Sequence, residues 1–299
     1  MPEKFSVVIK SGETLSGYLW EAKEPSKNLC VMTGMNEYAL RYAPLAEYMI
    51  QQGVSVRVLD AFGQGLNAES AEKQQIWPDG AFSKNVDGIF MMLKEAKKNG
   101  LPTFVMGHSM GSFMVQSLIE RYPKCADGVI LCGSNGGQHP LMVTAYGLAR
   151  VLVNKKNREK HSPILQNLSL GAYSKAIADR STDLDWLSYD KENVREYIED
   201  PWCGHENTGG FWLEFLRGMT TVWSGKSLAK IDKGERIFII AGQDDPVGQN
   251  GKGPQWLYDT YRKLGIQDVT LRIYPKMRHE ILREKDGESV MQDILQFMG

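Results

Sequence analysis

The chain has 299 residues, 42% of them hydrophobic and 24% charged, and a formal net charge of −1. This is an ordinary globular composition, long enough for one large α/β domain or two smaller ones. The charge balance excludes a nucleic-acid partner, no polybasic tail addresses an anionic membrane, and no run nears the ~18 apolar residues of a membrane span.

The opening Met1-Pro2-Glu3-Lys4-Phe5 lacks the apolar stretch of a signal peptide. Cys30, Cys125, Cys132 and Cys203 are scattered without C-x-x-C spacing and read as free thiols. A cytoplasmic protein is expected.

Residues 4–10 and 14–20 alternate apolar and polar around Ser11-Gly12-Glu13 and predict an antiparallel hairpin. Leu29 to Met32 is a short buried strand. Ala39 to Gln52 has helical periodicity, stopped by Gly53. Val54, Val56 and Val58 form a strand ending at Asp60, followed by a polar, Gly-containing loop to Asn67. Val86 to Lys98 is a second helix.

Thr103 to Ser112 contains Gly107-His108-Ser109-Met110-Gly111, a Gly-x-Ser-x-Gly pattern. A serine on a sharp strand-to-helix turn is held in a strained backbone with its hydroxyl outward, and flanking side chains would collide. The context fits, with an apolar strand before it and Phe113, Val115, Leu118 and Ile119 on one helix face after it. The pentapeptide alone is equally compatible with a turn whose serine caps a helix. Asp127 to Cys132 is the next strand.

The pattern then changes. Residues 134–228 carry no clear strand but helical runs at Leu141–Val153, Ala172–Ala178, Val194–Glu199 and Phe211–Trp223. Alternation resumes with a strand at Arg236–Ala241, a helix at Pro254–Leu264, a strand at Val269–Tyr274 and a helix at Glu288–Met298. The expected fold class is α/β, a mostly parallel sheet with helices on both faces. Residues 1–133 and 229–299 form its core, and 134–228 a helical cap inserted in it.

A serine nucleophile needs a base, and the base an orienting group. In a parallel sheet such groups lie past the carboxyl ends of strands. Asp244-Asp245-Pro246 follows the strand at Ala241, and His279 follows the strand at Tyr274. The chain order serine, aspartate, histidine is the one this architecture requires. Of the other histidines, His139, His161 and His205 fall in the insert, and His108 should point away from the site. Between Asp244 and Asp245, Pro246 holds the residue before it out of helical geometry, which favours Asp245 and leaves Asp244 to cap or face solvent. Backbone N–H groups of Met110 and of Met35, after Gly34, are the expected oxyanion donors.

These residues resemble the α/β-hydrolase superfamily, and within it the monoacylglycerol lipase and lysophospholipase group, similar to the serine aminopeptidase S33 hydrolases. Thr33-Gly34-Met35-Asn36-Glu37 with Arg41-Tyr42 resembles that group's His-Gly-x-x-Glu…Arg-Tyr segment, and Asp60 to Gly65 its Asp-x-x-Gly-His-Gly loop. The elbow matches without change. Gly242-x-x-Asp245-x-Val247 matches the acid loop and supports Asp245; His279-Glu280 resembles the histidine loop. Asp200 to Thr208 is similar to the cap of bacterial lysophospholipases. Thr33, Gln64 and Asn67 depart from the pattern, none of them at a catalytic position.

The resemblance implies a serine esterase with Ser109, Asp245 and His279 as its triad, no cofactor or metal, and a small-molecule substrate that is a monoacylglycerol, lysophospholipid or similar single-chain ester. A thioesterase, amidase or peptidase could use the same triad, and a receptor on the same fold would be non-catalytic. The expected substrate-binding residues are Phe211 and Phe215, from an aromatic stripe (Phe211 to Trp223) whose other members should pack on the core, and Trp202, from the Asp200 to Thr208 segment. The basic run Lys155 to His161 reads as a solvated face or a transient contact of the cap with lipid headgroups. Cys203, His205 and Glu206 are too few for a metal site.

Overall fold

Strands rich in Val, Ile and Leu on both faces need cover on both faces, and this rule governs the architecture. The computed structural model describes residues 2–299. It contains an eight-stranded sheet: β1 (Glu3–Val8), β2 (Thr14–Trp20), β3 (Lys27–Met32), β4 (Val54–Leu59), β5 (Thr103–His108), β6 (Gly128–Cys132), β7 (Arg236–Gly242) and β8 (Asp268–Tyr274). The order across the sheet is β1-β2-β4-β3-β5-β6-β7-β8. The β1–β2 and β2–β4 pairings are antiparallel; all others are parallel. The central strands β5 and β6 are buried along their whole length.

Helices α1 (Ala43–Gln51) and α11 (Gly287–Met298) cover one face, through Leu45, Met49, Val290 and Ile294. Helices α2 (Ala81–Ala96), α3 (Met110–Arg121) and α10 (Lys252–Lys263) cover the other, through Ile89, Met92, Val115, Leu118 and Leu257. Between β6 and β7 the chain forms α4 (His139–Leu152), α5 (Pro163–Leu168), α6 (Leu170–Lys175), α7 (Lys191–Glu199), α8 (Gly209–Met219) and α9 (Gly225–Leu228).

Several boundaries differ from the sequence reading for local reasons. The helix expected from Ala39 begins as a 3-10 turn over Ala39–Tyr42, because Pro44 has no N–H to give Leu40. Helix α2 starts five residues before Val86, at Ala81. Its first turn is masked in the sequence by Asn85, a polar residue on the buried stripe whose Oδ1 accepts the Phe62 amide at 3.1 Å. The stripe from Phe211 stays buried to Trp223, but the helix ends at Met219, and Trp223 turns back at φ 67° to donate its indole N–H to Gln116 at 2.6 Å.

Helix α8 seats the insert on the core by packing against α2. Gly218 permits this approach: a Cβ there would lie 2.1 Å from Phe82 Cγ, and Phe82 is itself confined by Phe215. Gly218→Ala should therefore destabilise the protein by roughly 1–3 kcal/mol and lower the thermal midpoint by several degrees. Gly147→Ala in α4, where a Cβ meets nothing, should raise it slightly. Calorimetry of the two variants against the parent checks both signs.

Candidate active site

The turn that carries Ser109 is built by backbone contact. β5 delivers Ser109 to the start of α3 at φ 51° and ψ −120°, a conformation costly for a residue with a Cβ. Both flanking glycines are needed. A Cβ on Gly107 would lie 2.3 Å from Gly111 O, and one on Gly111 2.3 Å from Met32 O. The Ser109 amide donates to Cys132 O at 3.0 Å, and its carbonyl accepts from the Ser112 hydroxyl at 2.6 Å.

Asp245 lies on the turn after β7, fully buried, and accepts His279 Nδ1–H at 2.9 Å on Oδ2 and the Val247 amide at 2.8 Å on Oδ1. With Nδ1 protonated, a neutral His279 keeps its lone pair on Nε2. The two loops meet because residue 242 is glycine; a Cβ there would lie 2.1 Å from Arg278 O. Asp244 points elsewhere and accepts the Tyr189 hydroxyl at 3.1 Å. Trp186 stands 5.2 Å from the His279 ring and shields it from solvent.

Ser109, His279, Met35 and Met110 line one cavity of about 370 Å³. Met110 is the first residue of α3, so its N–H has no acceptor within the helix. The Met35 amide likewise has no acceptor among the described residues. Of the expected substrate-binding residues only Phe215 reaches the cavity. Phe211 is fully buried against Trp77 at 4.5 Å, on the core-facing side of α8, and Trp202 packs on Tyr38 at 6.3 Å, away from the cavity.

His108 does not point away from the site. It lines the cavity, with its ring 4.9 Å from that of His279 and Nε2 3.4 Å from the His279 carbonyl oxygen. Its Nδ1 lies 3.1 Å from Glu37 Oε1, which also accepts the Tyr42 hydroxyl at 2.6 Å and the Gly34 amide. Burial acts against charge on both partners. Their mutual attraction outweighs it, so Glu37 is held down at about 2 and His108 is raised. Sequence reasoning gave Glu37 no role beyond the motif it sits in, because its partner His108 lies 71 residues further along the chain.

A second cavity, of about 430 Å³, adjoins the first; Phe113, Ser169, Tyr173, Phe215 and Val247 line both. Its walls are mainly apolar, from Met142, Leu148, Leu165, Trp212, Leu216 and Met219. Three of its apolar lining residues also face solvent, Leu148 at 40%, Leu141 at 55% and Leu168 at 64% exposed. In the basic run, Lys155, Lys156 and Lys160 are exposed, while Arg158 turns inward to Glu214 and Asp79. Cys203 is buried, His205 Nε2 meets Pro201 O, and Glu206 pairs with His161. All four cysteines are free. No helix among the described residues is long and apolar enough to cross a membrane.

Comparison with known proteins places the chain in a family. The family described as serine aminopeptidase, S33, matches residues 23–286. A monoacylglycerol lipase of Mycolicibacterium smegmatis is 26% identical over 92% of this chain and 89% of its own. The human monoglyceride lipase is 25% identical over 93% and 84%. Among solved structures, a thermostable carboxyl esterase from Bacillus coagulans superposes with a TM-score of 0.88 at 22% identity, covering 100% of this chain and 99% of its own. The fold is the α/β-hydrolase fold.

The Glu37–His108 pair makes stability depend on pH in a set direction. The lowered Glu37 contributes fully above its usual 4.5 and is lost as pH falls through about 2. The raised His108 contributes fully below its usual 6.5 and is lost as pH rises through its folded value. Glu37→Gln should therefore melt roughly 5–10 °C below the parent, with the widest gap between about pH 4.5 and 6.5 and a narrowing toward alkaline pH. Thermal melts across pH on both proteins check this.

Proposed function

The chain belongs to the serine aminopeptidase S33 family, and within it we propose a carboxylic ester hydrolase that acts on single-chain lipid esters beneath a cap formed by residues 134–228. The observation that carries the reading is the buried Asp245–His279 pair at 2.9 Å, with His279 and Ser109 on the wall of one cavity.

Asp245 keeps the His279 proton on Nδ1, so Nε2 takes the proton of the Ser109 hydroxyl as the oxygen attacks the ester carbonyl. The carbonyl π pair moves onto oxygen, and the Met35 and Met110 amides stabilise that oxyanion. The intermediate collapses, His279 returns the proton to the leaving alcohol, and an acyl group remains on Ser109. Water, deprotonated by His279, then adds to the acyl carbonyl; the second intermediate collapses by breaking the bond to Ser109 Oγ, which takes the proton back from His279 as the acid is released. This chemistry uses side chains and amides alone.

The adjoining apolar cavity is where the acyl chain lies, with Phe215 and Phe113 at the junction. Burying methylenes there contributes about 0.8 kcal/mol each. Transient contact of the cap with a lipid surface would bring the rim residues Leu141 and Leu168 to the substrate. A monoacylglycerol or a lysophospholipid satisfies this shape.

Aminopeptidase chemistry fits less well. It calls for a carboxylate on the cavity wall free to receive an α-ammonium, and the two buried carboxylates there are engaged: Glu37 holds His108 and Tyr42, and Glu280 holds Arg41 and Asn193.

Ser109→Ala should lose at least about a thousandfold in hydrolysis of p-nitrophenyl esters and all labelling by a fluorophosphonate probe. Retention of full esterase activity by that variant would sink the mechanism. Ala145→Trp, which fills part of the apolar cavity, should shift the preferred acyl chain to shorter lengths while leaving acetate esters nearly unaffected. An esterase panel of graded chain length reads this out.

A further inference from the structure

The Met35 amide is useful as an oxyanion donor only if its peptide is fixed, and residues 34–37 are a loop without regular structure. Two sets of groups hold that loop. From the core, Gln64 donates from Nε2 to Gly34 O at 2.9 Å and to Glu37 O at 3.0 Å, and its Oε1 accepts the Asn36 amide at 2.9 Å. The Glu37 carboxylate takes the Gly34 amide. From the insert, the Tyr197 hydroxyl donates to Asn36 O at 2.8 Å, and the Gly204 amide donates to the same oxygen at 3.1 Å.

Asn36 needs that restraint, because its φ of 61° lies in the left-handed region. The two donors form one packed unit. Tyr197 is buried beneath the Arg41 guanidinium, 4.9 Å from its ring centroid. Gly204 sits at φ 71°, and a Cβ there would come within 3.3 Å of the Tyr197 ring.

We propose that Tyr197 and the Gly204 amide are positioning groups for the oxyanion donor Met35, so that this part of the insert completes the catalytic site as well as covering it. Releasing the Asn36 carbonyl lets that residue leave its left-handed conformation and carries the neighbouring Met35 N–H off the oxyanion position. The effect falls on the transition state, where charge sits on that oxygen, and leaves ground-state binding of the ester nearly alone.

The inference rests on Ser109 as nucleophile and Met35 as donor, and the test separates the two. Tyr197→Phe keeps the ring and removes one hydroxyl. With concentrations set by fluorophosphonate titration of active sites, it should lose about 5- to 20-fold in kcat while KM moves less than about twofold. Affinity for an alkyl boronic acid, which presents a tetrahedral oxyanion to the same amides, should fall by the same factor. Gly204→Ala, strained at its φ, should move both quantities in the same direction. Parental kcat and boronate affinity in Tyr197→Phe would overturn the proposal, as would a loss confined to KM. If the parent protein is not labelled at Ser109, the underlying reading fails and takes the inference with it. A labelled parent with an unaffected Tyr197→Phe removes the inference alone.

Discussion

The crossing of the first turn of α3 over the end of β3 is the constraint on which the site depends. Met32 O and Thr33 O would lie 2.3 and 2.6 Å from a Cβ on Gly111, so the helix can sit on the strand end only without a side chain there. That contact fixes Ser109 in its strained turn and sets the Met110 amide beside the loop that carries Met35. Strain of this kind costs on the order of 1–3 kcal/mol and persists only where surrounding packing over-determines it. Here β5 and β6 are buried throughout and β3 nearly so, and they hold the two segments in register.

Strands ending in parallel leave loop amides at one edge of the sheet, and buried carboxylates satisfy several of them. Asp60, past β4, accepts the Ala39 amide at 2.7 Å and the Leu66 amide at 2.9 Å. Asp245, past β7, accepts the Val247 amide as well as His279. Glu37, past β3, accepts the Gly34 amide, Tyr42 and His108. Their charge states separate by environment. Burial pushes Asp60 up to about 7 despite its two amides, whereas at Glu37 the attraction and hydrogen bond of His108, with the Tyr42 hydroxyl, overcome burial and hold it at about 2. A carboxylate with a histidine partner can thus act as a fixed charge behind the site. Glu37 braces the loop of residues 34–37, the Ser109 turn and, through His108, the backbone of His279.

The sheet was legible because it follows strong local rules, and the same rules pick out residues that the structure brings to one cavity. Ser109 announces itself by the glycines its turn needs, and His279 by its place after a late strand. Asp245 is separated from Asp244 by the proline behind it. Less local features were not legible. Periodicity along α8 identifies a buried face, but both Phe211 and Phe215 lie on it, and only the packing of Trp77 decides which one meets the cavity. Trp202 was expected from a motif that fixes loop conformation, not cavity shape. His108 was expected to face away because a residue beside an elbow serine alternates with it, yet Glu37 draws its ring under His279. The departures at Gln64 and Asn67 also become intelligible only in three dimensions. Asn67 ties Ser16 to the Asp60 carbonyl, and Gln64 ties three backbone groups of the oxyanion loop.

The insert between β6 and β7 is tied to the core unevenly, which bears on how a substrate gets in. Its stretch from Asp185 to Gly204 is fastened by charged and polar groups. Arg41 and Arg283 both hold Asn193, Arg283 pairs with Glu196, and Glu284 holds Ser188 and Tyr189. The outer sides of α4 and α5 instead carry exposed Leu141, Val151, Ile164 and Leu168, of which Leu141 and Leu168 border the apolar cavity. One stretch therefore forms a polar wall fastened to the loop of residues 34–37, and the other an apolar wall facing outward. The Asn36 carbonyl takes its hydrogen bonds from Tyr197 and Gly204 on the polar side, so the apolar wall can shift without breaking them.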